Sequence, residues 1–318
     1  MDEYNMYPEK PQLETKKNKK GDGFGMTIFS IILFVSSMLW LFSDSLLFIL
    51  LLVFVLLVHE LGHYSFMRLY KYENVRMLFV PLMGAFVQGM KDRYSQLQSF
   101  LVVMAGPIPG LALGILFFIL AQNYQSDWMM TVSLLFIFLN GINLLPLDPL
   151  DGGQLLKLLI KRNQDLFQLI LSLVTSLGLI TVGLYIDSLV LTLFGFLMAF
   201  RVRSLQRNYI IRKDLTNEKI EFEATYEELN NKQYADIKQI VLRNTPALQK
   251  YVSLNIDDDV EPIIASQVRN ILVSPMTRDA SRIQQFIVIF IWILSFALPI
   301  YLFFNSTFDW YIDAIQNW

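Results

Sequence analysis

The sequence predicts an all-α polytopic membrane protein, with about seven transmembrane helices, a small membrane-associated β segment and a mostly helical soluble region. Three observations carry that prediction. The 318 residues are 54% hydrophobic and only 17% charged, with a mean hydropathy of +0.43; soluble globular chains are nearer a quarter charged. The apolar residues fall in runs of spanning length, about 20 residues for a helix crossing the hydrocarbon core. The charges gather between these runs. The net charge of −2 decides little, because distribution matters more than total.

Residues 1–23 read as a cytoplasmic tail carrying a basic cluster of Lys16, Lys17, Lys19 and Lys20. The apolar run after it ends without a small-residue cleavage site and reads as a retained span. A first run, residues 26–41, is broken at Ser43, Asp44 and Ser45, and a second extends from Leu46 to about Met67, so 24–67 fits a tight helical hairpin. Residues 68–98 are mixed. "RMLFVPLMGAFVQGM", punctuated by Pro81, Gly84 and Gly89, suggests a β hairpin or re-entrant loop, tolerated at membrane depth only where protein or a polar cavity covers it.

The third run, residues 100–121, contains "AGPIPG" and Gly114; proline kinks a helix and glycines allow close helix approach. A fourth, about 129–145, ends in "NLLPLDPLDGG", and "QLLKLLIKR" follows as a short amphipathic helix. Runs at 167–186 and 189–200 complete a core of about six spans over 24–203. Residues 204–283 are charged and helically spaced, a soluble region that suits a partner-binding or regulatory module. A final span covers 284–305, with Trp310 and Trp318 behind it in an extracytoplasmic tail, 306–318, as interfacial anchors.

Lysine and arginine set the orientation. They precede the first span and follow the second (Arg68, Lys71, Arg76, Lys91, Arg93), the fourth (Lys157, Lys161, Arg162) and the sixth (Arg201, Arg203, Arg207). The turns at 43–45, 122–127 and 187–188 carry none. The positive-inside rule therefore places the amino terminus and 204–283 in the cytoplasm. The expected setting is a plasma membrane, of a bacterial kind, with lipid as the surround and no nucleic-acid partner.

Inside the second run lies "LLVHELGHYSF". His59 and His63 are the only histidines in the chain. Four residues apart, they share one helix face, and two imidazoles so placed can hold one zinc ion. Glu60 beside them can take a proton from water activated by the metal and pass it to a departing amide nitrogen. Ionisable residues in a span mark function by default. With no cysteine in the chain, disulfides and thiolate ligands are excluded. The third zinc ligand must then be an oxygen. "NLLPLDPLDGG" offers Asp148 and Asp151, with Asp151 favoured, although Asp151 also suits the N-cap of the helix starting near Gly153.

"HELGH" in one span and "NLLPLDPLDGG" at the end of a later one resemble the site-2 protease family of intramembrane zinc metalloproteases. The resemblance covers roughly residues 46–160. It implies that His59, His63 and Asp151 bind one zinc ion and that Glu60 is the catalytic base. It implies that Asn143, ahead of Pro146, helps hold the substrate strand or stabilise the transition state. "VPLMGAFV" (80–87) is similar to the family's membrane-associated β segment, which pairs with an unwound substrate, and "AGP" (105–107) matches a family signature. Two departures stand out: Gly110 where the family often has asparagine, and Asp148 near the site. The resemblance implies an enzyme that hydrolyses peptide bonds in or near the spans of membrane proteins, with a single-span substrate, in regulated intramembrane proteolysis. An inactive scaffold of the same fold, acting through 204–283, is the alternative, and the intact Glu60 argues against it. A metal transporter would need more polar ligands along a path through several spans.

Overall fold

A computed structural model describes residues 7–13, 22–42, 46–81, 84–160, 163–253 and 260–305. The basic cluster at Lys16–Lys20, the 43–45 turn, Lys161, Arg162, Trp310, Trp318 and the tail at 306–318 lie outside the described residues. The chain divides into two compact units. One comprises residues 92–94 and 163–277 with the segment around 7–13, and the other comprises the chain from 18 to 91, 95–162 and the part after 278.

The second unit begins with α1 (Asp22–Phe42), α2 (Leu46–Leu69) and the strands β1 (Glu73–Val80) and β2 (Gly84–Met90). One stripe of α2, Ile49, Val53, Leu56, Glu60 and His63, is buried. It repeats at steps of three and four residues, the spacing of one helix face. Its apolar part packs with Phe34, Met38, Met77 and Phe79; its far end carries the polar residues. The two strands form the predicted hairpin, antiparallel, with Met77 opposite Val87 and Val80 opposite Gly84. In an apolar surround, open strand edges must be satisfied by protein. The β1 side meets α1: Phe79 N–H donates to Ser30 Oγ (3.1 Å) and Thr27 Oγ1 donates to Met77 O (2.7 Å).

After the short strand β3 (Tyr94–Ser95) come α3 (Gln96–Ala105), α4 (Pro107–Tyr124), α5 (Asp127–Asn143) and α6 (Asp151–Leu159). The third run is thus two helices that meet at Gly106. Pro107 stands at the start of α4, where its missing N–H costs nothing; Gly106 keeps right-handed helical dihedrals, so Gln96–Tyr124 continues as one apolar stretch interrupted at the proline, as the sequence suggested. Ser133 Oγ donates to Gly114 O (2.8 Å), tying α5 to α4, and Gln96 Nε2 donates to Leu158 O (2.8 Å), tying α3 to α6. Asp151 is the first residue of α6, and the N-cap is Leu150 without a side-chain cap bond. The capping role considered for Asp151 is therefore not used, and its carboxylate is free to point elsewhere.

In the other unit α7 (Gln164–Tyr185) and α8 (Leu189–Asn217) pack as a hairpin. The helices α9 (Asn231–Arg243), α10 (Pro246–Ser253) and α11 (Val260–Ile271) follow, then β4 (Met276–Thr277). The core here is Ile211 and Leu215 of α8, Tyr234, Ile237, Ile240 and Val241 of α9, and Ile264, Ala265, Val268 and Ile271 of α11. The charged sequence after 204 hid this core because each helix buries a single stripe. Asn230 and Gln233 form a reciprocal capping box that starts α9. Lys10 reaches the same unit, its Nζ donating to the carbonyls of Tyr226 (2.7 Å) and Leu229 (2.8 Å). Returning to the second unit, α12 (Arg282–Phe304) ends the described chain.

The largely helical, multi-pass architecture and the β element are as predicted, but the count of seven spans needs correction. Five helices among the described residues have the length and hydropathy to cross a membrane: Leu46–Leu69, Gln96–Tyr124, Gln164–Tyr185, Leu189–Asn217 and Arg282–Phe304. Of the two other apolar helices, α1 has 21 residues, of which Gly25–Trp40 is the apolar stretch, and Asp127–Asn143 has 17. At a rise of about 1.5 Å per residue, the second of these covers roughly 26 Å of a core about 30 Å thick. Its length is cut at Asn143, where the chain leaves the helix to bring Asp151 back.

Candidate metal centre

Two helices far apart in sequence supply the centre. His59 and His63 stand one turn apart on α2, and Asp151 begins α6. His59 Nε2 is 3.1 Å from His63 Nε2. Asp151 Oδ2 lies 3.1 Å from His59 Nε2 and 3.2 Å from His63 Nε2. All three residues are buried, at 4–8% exposure, and they form the one group among the described residues able to hold a metal ion with three or more such ligands. Of the two aspartates offered by the sequence, Asp151 reaches the histidines; Asp148 is also buried but is not in that group.

The hydrogen bonds behind the rings decide what the site can accept. His63 Nδ1 donates to Val102 O (2.8 Å); a carbonyl can only accept. His59 Nδ1 is 2.8 Å from Asn140 Oδ1, and the amide is oriented by its own Nδ2, which donates to Phe136 O (2.7 Å). Each Nδ1 is thus a donor, which in a neutral ring leaves a lone pair on Nε2. With both rings neutral, two nitrogen lone pairs and a carboxylate oxygen converge on one point with no donor among them. A metal cation at that point would satisfy all three; a proton carried on His63 Nε2 and donated to Asp151 Oδ2 satisfies only that pair. Tetrahedral zinc with bonds of about 2.0 Å holds its ligands roughly 3.3 Å apart, close to the observed triangle. The donor set, two imidazoles and a carboxylate, is one that zinc takes in open catalytic sites.

Glu60 adjoins the triad. It is 4% exposed, the backbone of Val87 on β2 lies near its carboxylate, and Oε2 is buried without a protein hydrogen-bond partner. A buried polar atom without a partner is costly, and this one belongs to the same turn of α2 as His59 and His63. Asn143 lies one turn beyond Asn140 on α5; its Nδ2 donates back to Leu139 O (3.0 Å), and none of its described hydrogen bonds joins the triad.

Close packing shapes the rest. A Cβ at Gly62 would sit 2.7 Å from the carbonyl carbon of Ala105, and one at Gly106 would sit 2.7 and 2.8 Å from Cε1 and Cδ2 of His63. The glycines of "HELGH" and "AGP" therefore let α2 lie against the α3–α4 junction with the His63 ring between them. Trp292 of α12 donates from Nε1 to Leu144 O (2.8 Å), pinning the start of the loop that leads to Asp151. Sequence reasoning missed Val87, Val102, Asn140 and Trp292. Val87 and Val102 act through backbone atoms, which carry no residue-type signal; Asn140, a polar residue in an apolar run, was the signal available.

Comparison with known proteins agrees with this geometry. Residues 47–133 match peptidase family M50. The chain is 31% identical over 144 residues to a zinc metalloprotease of Methanocaldococcus jannaschii, covering 44% of this chain and 40% of that protein. It is 29% identical over 118 residues to stage IV sporulation protein FB of Bacillus subtilis, covering 35% and 39%. The chain thus spans about two-fifths of the length of these curated relatives. A solved structure of a site-2 protease from Methanocaldococcus jannaschii aligns with a TM-score of 0.45 and 22% identity, over 55% of this chain and 87% of that one. The residues matched by peptidase family M50 include His59, Glu60 and His63.

Proposed function

We propose that this chain is an intramembrane zinc endopeptidase that hydrolyses peptide bonds within or near the spans of membrane proteins. The observation that carries the reading is the convergence of His59 Nε2, His63 Nε2 and Asp151 Oδ2 beside the buried carboxylate of Glu60. His59, His63 and Asp151 would hold the ion. When bound, zinc supplies Lewis acidity, making water acidic and a carbonyl electrophilic.

Glu60 takes a proton from the attacking water and delivers it to the amide nitrogen as the carbon–nitrogen bond breaks, so one carboxylate serves both transfers. The backbone of Val87 lies near Glu60 on the β2 side, so the base is beside the hairpin. An extended substrate segment lies along that hairpin, because only an unwound strand exposes its peptide bond and strand addition satisfies its backbone. Asn143, at the mouth of the loop leading to Asp151, contacts that strand.

The tail 1–23, the core 24–203, the region 204–283, the last span 284–305 and the tail 306–318 are successive parts of one multi-pass protein of a bacterial plasma membrane. The lysine and arginine pattern supports a cytoplasmic amino terminus and a cytoplasmic 204–283 region, which is the surface for a protein partner. The substrate is a single-span membrane protein cut in regulated intramembrane proteolysis.

The test compares new protein amino termini, by mass spectrometry, in membranes from cells expressing the unaltered protein or Glu60→Gln at equal levels. Termini inside spans that require Glu60 are expected. Identical peptide sets from the two samples, with zinc bound in both, would favour an inactive scaffold.

A further inference from the structure

Asn140 is fully buried in the apolar helix α5, where an amide is expensive unless each of its atoms has a use. Both ends are used. Oδ1 accepts from His59 Nδ1 at 2.8 Å, and Nδ2 donates to Phe136 O one turn back at 2.7 Å. The second bond fixes which end of the amide faces the ring. Space for the amide comes from α4. A Cβ built on Gly110 would overlap Oδ1, Nδ2 and Cγ of Asn140, and these are its three nearest neighbours. Residue 110 therefore has to be glycine for Asn140 to stand where it does, and the two positions work as a unit.

We propose that Asn140 is a positioning residue that locks His59 in the tautomer and ring orientation required of a metal ligand, and that the missing side chain at Gly110 is what admits it. The inference rests on the zinc reading above. An outer partner that takes the N–H of a ligating histidine holds the other nitrogen's lone pair on the metal and raises its basicity. His63 has Val102 O for this purpose, fixed by the helix backbone. His59 depends on a side chain, so its orientation is open to a single substitution.

The test is zinc affinity, by competition with a chelator, on the full chain purified in detergent, together with the unfolding temperature of the metal-stripped protein. Asn140→Ala should weaken zinc binding by about 10–100-fold. Asn140→Asp, which keeps the acceptor, should hold zinc at least about tenfold more tightly than Asn140→Ala. Gly110→Ala displaces the amide without removing it and should weaken zinc as Asn140→Ala does. The double variant Gly110→Ala with Asn140→Ala should be no weaker than Asn140→Ala alone, because the two changes act on one contact.

Unaltered affinity in Asn140→Ala or in Gly110→Ala overturns the proposal. So does an Asn140→Asp form as weak as Asn140→Ala, which would make Asn140 a packing residue only. If Asn140→Ala does not fold, Gly110→Ala and Asn140→Asp decide the matter between them. An unaltered protein that binds no zinc overturns both this inference and the function it rests on; an unaltered protein that binds zinc beside variants that bind it equally well overturns this inference alone.

Discussion

Gly106→Ala adds one methyl group, and the structure says where it goes. The new Cβ would sit 2.7 Å from Cε1 and 2.8 Å from Cδ2 of His63, where ordinary contact begins at 3.4 Å. The ring must retreat by more than 0.7 Å, the difference between 2.7 and 3.4 Å at Cε1, because Nε2 is the nearest atom and lies closer still. It has little room to do so, because its Nδ1 is tied to Val102 O and its Nε2 faces Asp151. A misplacement approaching 1 Å costs a preorganised site about 100-fold in rate. The expected loss in zinc affinity is about 10–100-fold, or roughly 1.4–2.7 kcal/mol. The assay is chelator competition on purified protein, with zinc counted per chain and cleavage of a span-containing substrate measured in parallel. The control is Gly178→Ala, where nothing lies within 4 Å of the new Cβ and the change should stabilise α7 by up to about 1 kcal/mol. A Gly106→Ala protein with unaltered zinc affinity would refute the reasoning, because His63 would then not be held between α2 and the α3–α4 junction as described.

Two further outcomes follow from bonds outside the triad. Trp292→Phe removes the Nε1 donor to Leu144 O beneath a fully buried Leu144; thermal unfolding of the purified protein should show a loss of about 1–3 kcal/mol, and an unchanged midpoint would mean water replaces the indole. Asn230→Ala breaks the capping box of α9 and should cost about 0.5–2 kcal/mol, read as earlier proteolysis between residues 218 and 245 with zinc affinity unchanged.

The helical character, the hairpin and the residues that converge at the buried cluster were legible in the sequence for a common reason. Each rests on residue types that are rare where they stand: histidines and a glutamate in an apolar run, and an aspartate before paired glycines. Asp151 against Asp148 was not decidable from local features, because both aspartates sit in the same loop and only the turn into α6 determines which one reaches α2. The break at Gly106 was legible from Pro107, although spacing alone does not distinguish a proline inside a helix from one at its first position. The length of α8, which runs on through Arg201 and Arg203 to Asn217, was hidden by the drop in hydropathy at its midpoint. Asn140 was legible as a polar residue in a span, but its role needed the empty side of Gly110, which belongs to another helix.

The separation of the ligands along the chain has a temporal consequence. His63 and Asp151 are 88 residues apart, and Trp292, which secures the approach to Asp151, lies 148 residues beyond Leu144. A ribosome adding about 5–20 residues per second needs roughly 4–18 s to pass from the second histidine to the aspartate. During that interval the nascent chain carries a base and two imidazoles but no complete metal site. The centre therefore stays incomplete while the apolar helices from α2 to α5 are made, and α7, α8 and α12 follow only after all three of its residues are in the chain.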